Sequence, residues 1–128
     1  MTDNPNPRGA WAGSVTIERR AWVRYACDLP SACQPATAGG ERSWAGRVEN
    51  ISRGGIRVVV GRRFEPGTLL QMSLDTEQEE AAQRVLARVI HVTPLSRLGM
   101  WALGCAFHHE MSEDALHTLL GPGDPVVE

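Results

Sequence analysis

Residues 44–60, WAGRVENISRGGIRVVV, hold two strands and the turn between them. Trp44, Gly46, Val48 and Asn50 alternate with Ala45, Arg47, Glu49 and Ile51, the period of two expected of a strand with one solvated face. Ser52 to Gly55 is made of turn-forming residues, because serine and glycine supply local hydrogen bonding and backbone freedom. Ile56 to Val60 is apolar and β-branched apart from Arg57, as a second strand requires. So short a connection joins antiparallel strands, since parallel ones need a long crossover.

The same grammar continues outward. Pro66-Gly67 marks the next turn, Thr68 to Leu74 reads as a strand, and an acidic loop follows from Asp75 to Glu80. From Arg84 to Val92 the chain alternates again, with Val85, Ala87, Val89 and His91 on one side and Leu86, Arg88, Ile90 and Val92 on the other. Pro94 to Gly99 turns the chain, and Met100 to Phe107 returns as a strand. Ser112 is placed to cap a helix with Glu113 and Asp114 in its first turn. Leu116, Leu119 and Leu120 share one face of it, and Gly121-Pro122 ends it. Upstream, Trp22 to Cys27 predicts a short strand, whereas Leu29 to Gly40, with Pro30, Pro35, Gly39 and Gly40, reads as a loop or a loop broken by an irregular edge piece. The fold class is therefore mainly β: six antiparallel strands with a short C-terminal α-helix, closed into a small barrel that leaves no open edges. The expected organisation is a flexible N-terminal tail over 1–14, one domain over 15–121 and a C-terminal tail over 122–128.

A chain of 128 residues with a formal charge of −2 fits one domain and lacks the global basic field of a nucleic-acid polymer binder. An anion site must then be built locally from arginines. The polar, proline-bearing start is not a secretion signal, and no run approaches membrane-spanning length, so the expected place is the cytoplasm without membrane insertion. Cys27, Cys33 and Cys105 are an odd number, which favours reduced, mostly buried thiols. Together with His91, His108 and His109 they lack zinc-ligand spacing, so no metal site and no cofactor are assigned. Trp11, Trp22, Trp44 and Trp101 are assigned to packing, and Arg62-Arg63 to a solvated turn.

Two motifs carry function. Arg20-x-x-x-Arg24, with Arg19 before it, is followed by Asn50-x-Ser52-x-x-Gly55, with twenty-five residues between Arg24 and Asn50. Singly, these are a basic strand edge and an ordinary turn. In this order they resemble the PilZ family of cyclic di-GMP receptors, where an Arg-x-x-x-Arg segment precedes an (Asp/Asn)-x-Ser-x-x-Gly motif. Leu103-Gly104-Cys105-Ala106-Phe107 also looks like that family's closing strand. The likeness runs over roughly residues 17 to 120 and implies a six-stranded antiparallel barrel, making 15–121 a PilZ-type domain.

The resemblance implies a cyclic di-GMP site formed by Arg19, Arg20, Arg24, Asn50, Ser52, Gly54 and Gly55. The residue types suit that ligand. A guanidinium forks onto phosphate oxygens or the guanine O6/N7 edge and stacks on a base, which lysine does not. Asn50 and Ser52 offer short polar groups for a guanine edge or for shaping the turn. Gly54 and Gly55 allow close backbone approach or a positive φ. Arg57 is a further candidate to face the ligand, and Arg19 to meet a second ligand copy. The implied function is a non-enzymatic receptor, because Ser52 has no identifiable base and Glu79-Glu80 lie in the acidic loop. Its arginine arm would rearrange on binding and relay the signal to a protein partner, with the oligomeric state open. The alternative is a PilZ-like adaptor that acts on proteins without nucleotide.

Overall fold

The computed structural model describes residues 22–37, 42–75, 83–97, 99–121 and, for the backbone alone, 126–127. The 1–14 tail, Trp11, Arg19, Arg20 and most of the acidic loop lie outside the described residues. The strands are β1 (Tyr25–Pro35), β2 (Trp44–Ile51), β3 (Gly55–Val60), β4 (Leu69–Leu74), β5 (Gln83–Pro94) and β6 (Trp101–Phe107), then helix α1 (Glu113–Leu120) and a short β7 (Val126–Val127). The six long strands run in the order β2-β3-β6-β5-β4-β1, and β1 pairs back onto β2 to close the barrel. Every pairing is antiparallel.

The inward residues of these strands form one buried cluster. Val48, Ile56, Val58, Leu70, Met72, Val89 and Leu103 are its centre, and α1 adds Leu116 and Leu119. The helix has the expected caps: Ser112 Oγ accepts from the Ala115 amide at 3.1 Å, and the Gly121 amide donates to the His117 carbonyl at 3.0 Å. Gly121 has φ 78°, a left-handed value that a side chain rarely adopts.

Two departures from the sequence reading bear on the site. The first strand begins at Tyr25 and continues to Pro35, through residues expected to form a loop. Within it, Ser31, Cys33 and Pro35 alternate inward between partner strands on either side. The side-chain alternation of β5 breaks after Val89. Val89 pairs with Cys105 but His91 pairs with Gly104, so Ile90 is an extra residue, a β-bulge. His91, expected beside Val89, therefore faces out, and Val92 turns partly inward. Beyond 121, the backbone of Val126–Val127 pairs with Tyr25 and Ala26, adding a strand to β1 within the segment read as a tail.

Candidate functional site

The Ser52–Gly55 turn is held by the side chain that starts it. Ser52 Oγ accepts from the Gly54 and Gly55 amides, each at 3.2 Å, and the Ser52 amide donates to the Gly55 carbonyl at 2.9 Å. With Ser52 only 7% exposed, the hydroxyl supplies bonds that water cannot. The turn is also tied to the chain after β6. Phe107 N–H donates to the Gly54 carbonyl at 2.9 Å, Met111 N–H to the Arg53 carbonyl at 2.8 Å, and Arg53 Nε to the Met111 carbonyl at 3.0 Å.

Neither motif glycine adopts a positive φ; both are required for their size. A Cβ on Gly55 would stand 2.6 Å from the Cys105 carbonyl oxygen, so β3 could not pair with β6 at this register. A Cβ on Gly54 would stand 1.7 Å from Cζ3 of Trp22, whose ring lies on the glycine. Trp22 thus packs on the turn, and with Val23, Arg53, Leu116 and His117 it borders a small hollow beside α1.

Two residues later the chain presents Arg24, exposed, with Nη1 3.4 Å from Asn50 Oδ1. Asn50 is 7% exposed and stands at a second bulge, where Glu49 is the extra residue of β2 against β3. Glu49 there pairs with Arg57 Nε at 2.9 Å. The two bulges flank a cleft of about 410 Å³, within the size range of small-ligand sites. Arg24, Ser52, Gly54, Gly55 and Arg57 line one side, and Ile90, His91 and Thr93 the other, with Gly104 and Ala106 between.

The structure brings together Arg24, Asn50, Ser52, Gly54 and Gly55, while Arg19 and Arg20 lie outside the described residues. Arg57, singled out as a candidate, also lines the cleft. Sequence reasoning missed the β5 wall. The available signal was His91 itself, a polar residue interrupting an otherwise apolar stripe, which marks a possible bulge. None of the three cysteines forms a disulfide, and Cys33 and Cys105 are buried. Burial pushes the Cys105 thiol up to about 12, and the neighbouring Cys33 adds to the rise. Among the described residues, no cluster of three or more His, Cys, Asp or Glu is placed to hold a metal, and no helix is long and apolar enough to cross a membrane.

The family model for the PilZ domain matches residues 18–121. No curated protein matches the chain. Among solved structures, the fold is similar to that of the Bacillus subtilis inhibitor of motility MotI/DgrA, with TM-score 0.58 and 24% identity over 79% of this chain and 48% of that one. The chain thus spans about half the length of that protein. It is similar also to the PilZ domain of YcgR from Escherichia coli, solved with c-di-GMP, with TM-score 0.58 and 18% identity over 79% of this chain and 86% of that one.

Proposed function

The chain belongs to the PilZ domain family, and from that premise we propose that it is a cyclic di-GMP receptor whose site is the cleft at the Arg24–Asn50 contact. The observation that carries the reading is that Arg24, hydrogen-bonded to Asn50, and the Ser52–Gly55 turn meet at one cleft from sequence positions far apart. YcgR, a structural neighbour, was solved with this nucleotide, which supports the choice of ligand.

In this reading Arg24 and Arg20 fork onto phosphate oxygens or guanine edges, and Asn50 presents its amide to a base. Ser52, Gly54 and Gly55 keep the turn low enough for the ligand to approach the backbone. Arg19 reaches a second ligand copy where two stack. The long Arg24–Asn50 bond costs little to exchange for ligand, so the arginine arm reorders on binding and passes the change to a protein partner. No chemical step is assigned to the cleft, and the protein acts in the cytoplasm as a binding module.

A thermal melt with and without cyclic di-GMP tests this. A ligand selective for the native state adds about 2.7 kcal/mol at a hundred times its Kd, so the midpoint is expected to rise with cyclic di-GMP and not with GMP. An unchanged midpoint at saturating nucleotide would instead favour the adaptor reading.

A further inference from the structure

The barrel end away from the Ser52–Gly55 turn carries a second group of arginines, none of them in either motif. β2 begins there with Trp44 and β6 with Trp101. β3 runs toward it from Gly55 to Val60, a span of about 17 Å at about 3.3 Å per residue. Val60 pairs with Gly46 on one side and with Trp101 on the other, and Trp101 with Pro94. The β3–β4 and β5–β6 turns approach each other here, since a Cβ on Gly61 would stand 3.9 Å from both the Gly99 carbonyl oxygen and the Met100 sulfur. Segments 42–44, 61–65 and 94–101 therefore share one end. They hold Arg42, Arg62, Arg63 and Arg97 against a single carboxylate, Glu65, which pairs with Arg63. Glu41, next to them in sequence, lies outside the described residues. In a chain of formal charge −2 this is a marked local excess of positive charge.

Three of the four arginines lie on aromatic rings. Arg42 Cζ is 4.2 Å from the centroid of the Trp44 ring, and Arg62 Cζ is 5.5 Å from the same ring. Arg62 also stands 4.5 Å from Phe64, and Arg63 5.8 Å from Trp101. The rings are themselves anchored, because Phe64 belongs to the buried cluster and both tryptophans pack against it. A guanidinium resting on a ring has less freedom to lose on binding, and its N–H donors lie in its own plane rather than on the covered face. The Trp44 indole N–H adds a buried donor with no acceptor among the described residues. Donors and positive charge gather at this end, and ionised carboxylates, which only accept, are their complement.

We propose that this end of the barrel is a docking surface for an Asp/Glu-rich segment of a partner protein, with Arg42 and Arg62 forking onto its carboxylates beside Trp44. The surface uses no residue of the nucleotide cleft, so it stands whatever the cleft binds. An anionic bilayer suits it less. Phe64 is 3% exposed, and none of the three exposed large apolar side chains, Val23, Leu86 and Ile90, belongs to these segments, so nothing apolar is offered to the acyl region. A nucleic-acid strand suits it less as well, because base stacking needs open aromatic faces and guanidinium groups cover these.

The test uses a fluorescein-labelled hexaglutamate peptide followed by fluorescence anisotropy at low salt, with hexaserine as the uncharged control. The wild type is expected to bind hexaglutamate saturably and more weakly as salt rises. Arg42→Ala combined with Arg62→Ala should weaken that binding about tenfold or more. Arg47→Ala removes an exposed arginine elsewhere on β2 that is already paired with Asp28, and it should bind as the wild type does. Thermal melts report whether each variant folds. Wild-type protein that binds hexaglutamate no better than hexaserine would overturn the proposal, as would a folded double variant that binds unchanged. Uptake of phosphatidylserine vesicles without the peptide would make this end a membrane contact and overturn it too. So would self-association of the wild type through this end, shown by a double variant that is monomeric where the wild type is not. Should the double variant fail to fold, Arg42→Ala and Arg97→Ala, each at an exposed position, decide singly, and unchanged binding by both would sink the idea.

Discussion

The Ser52–Gly55 turn and the segment carrying Arg24 meet at one cleft but are held there in unlike ways. The turn is closed by its own serine, bonded through its backbone to Phe107 and Met111, and backed by β6. The described part of the arginine segment precedes the first strand and meets the site through one long hydrogen bond, from Arg24 to Asn50 of β2, and the Trp22 ring that lies on Gly54. A receptor profits from that division. On the proposed reading, the fixed half would keep the site's shape without ligand and the lightly held half would change place when ligand arrives, because little is lost in releasing it.

Substitutions in the fixed half should cost stability, and those in the loosely held half should cost affinity. The largest effect is expected at Gly55. Its Cβ would collide with backbone rather than with a movable side chain, so Gly55→Ala should destabilise by about 3 kcal/mol in urea unfolding. Cys105, directly behind it, gives a pH test of the same wall. Its pKa is raised from 9.0 to about 12 and that of Cys33 is raised as well, each first by burial. The unfolded thiols ionise first, so stability is complete below about pH 9 and falls as pH rises toward 12. The slope is about 1.4 kcal/mol per pH unit for Cys105, and Cys33 acts in the same direction. Cys105→Ala should flatten that slope, and denaturant melts between pH 8 and 11 would reveal it.

Ser52→Ala removes the acceptor for two amides of the turn and should cost about 1–2 kcal/mol. A loss near zero would mean that the turn is held mainly by its bonds to Phe107 and Met111. Gly54→Ala lies where the two halves touch. The three nearest atoms it meets all belong to Trp22, so the barrel should lose less than about 1 kcal/mol. Trp22 must leave, which a shift in tryptophan emission would register together with weaker nucleotide binding. Arg24→Lys should change stability least, within about 0.5 kcal/mol, and still lower cyclic di-GMP affinity about tenfold or more through loss of the planar fork.

The turn was legible in the sequence because Asn50, Ser52 and the glycines act locally, within a few residues of one another. Five of the six strands were legible for the same reason, from alternation or β-branched composition and flanking turns, and the first only near its start. What stayed hidden depends on partners far along the chain. Pro30 and Pro35 read as loop, and only the neighbouring β2 and β4 make that stretch a strand. Nothing near Gly54 in sequence announces that Trp22 lies on it. The Ile90 bulge exists because β5 has one more residue than β6 at that point, and it moves His91 from the side expected to hold Val89 to the wall of the cleft. A strict period of two cannot report such an insertion, so the motif residues of the cleft were foreseen as neighbours and its β5 wall was not.

The most direct test of the central claim is titration calorimetry with cyclic di-GMP on the wild type and on Arg24→Ala, two proteins expected to share one melting curve. The account requires saturable binding at micromolar concentration or tighter by the wild type and its loss, by about a hundredfold or more, in the variant. Wild-type protein that evolves no binding heat at any temperature tried, or a variant that binds equally well, would contradict it.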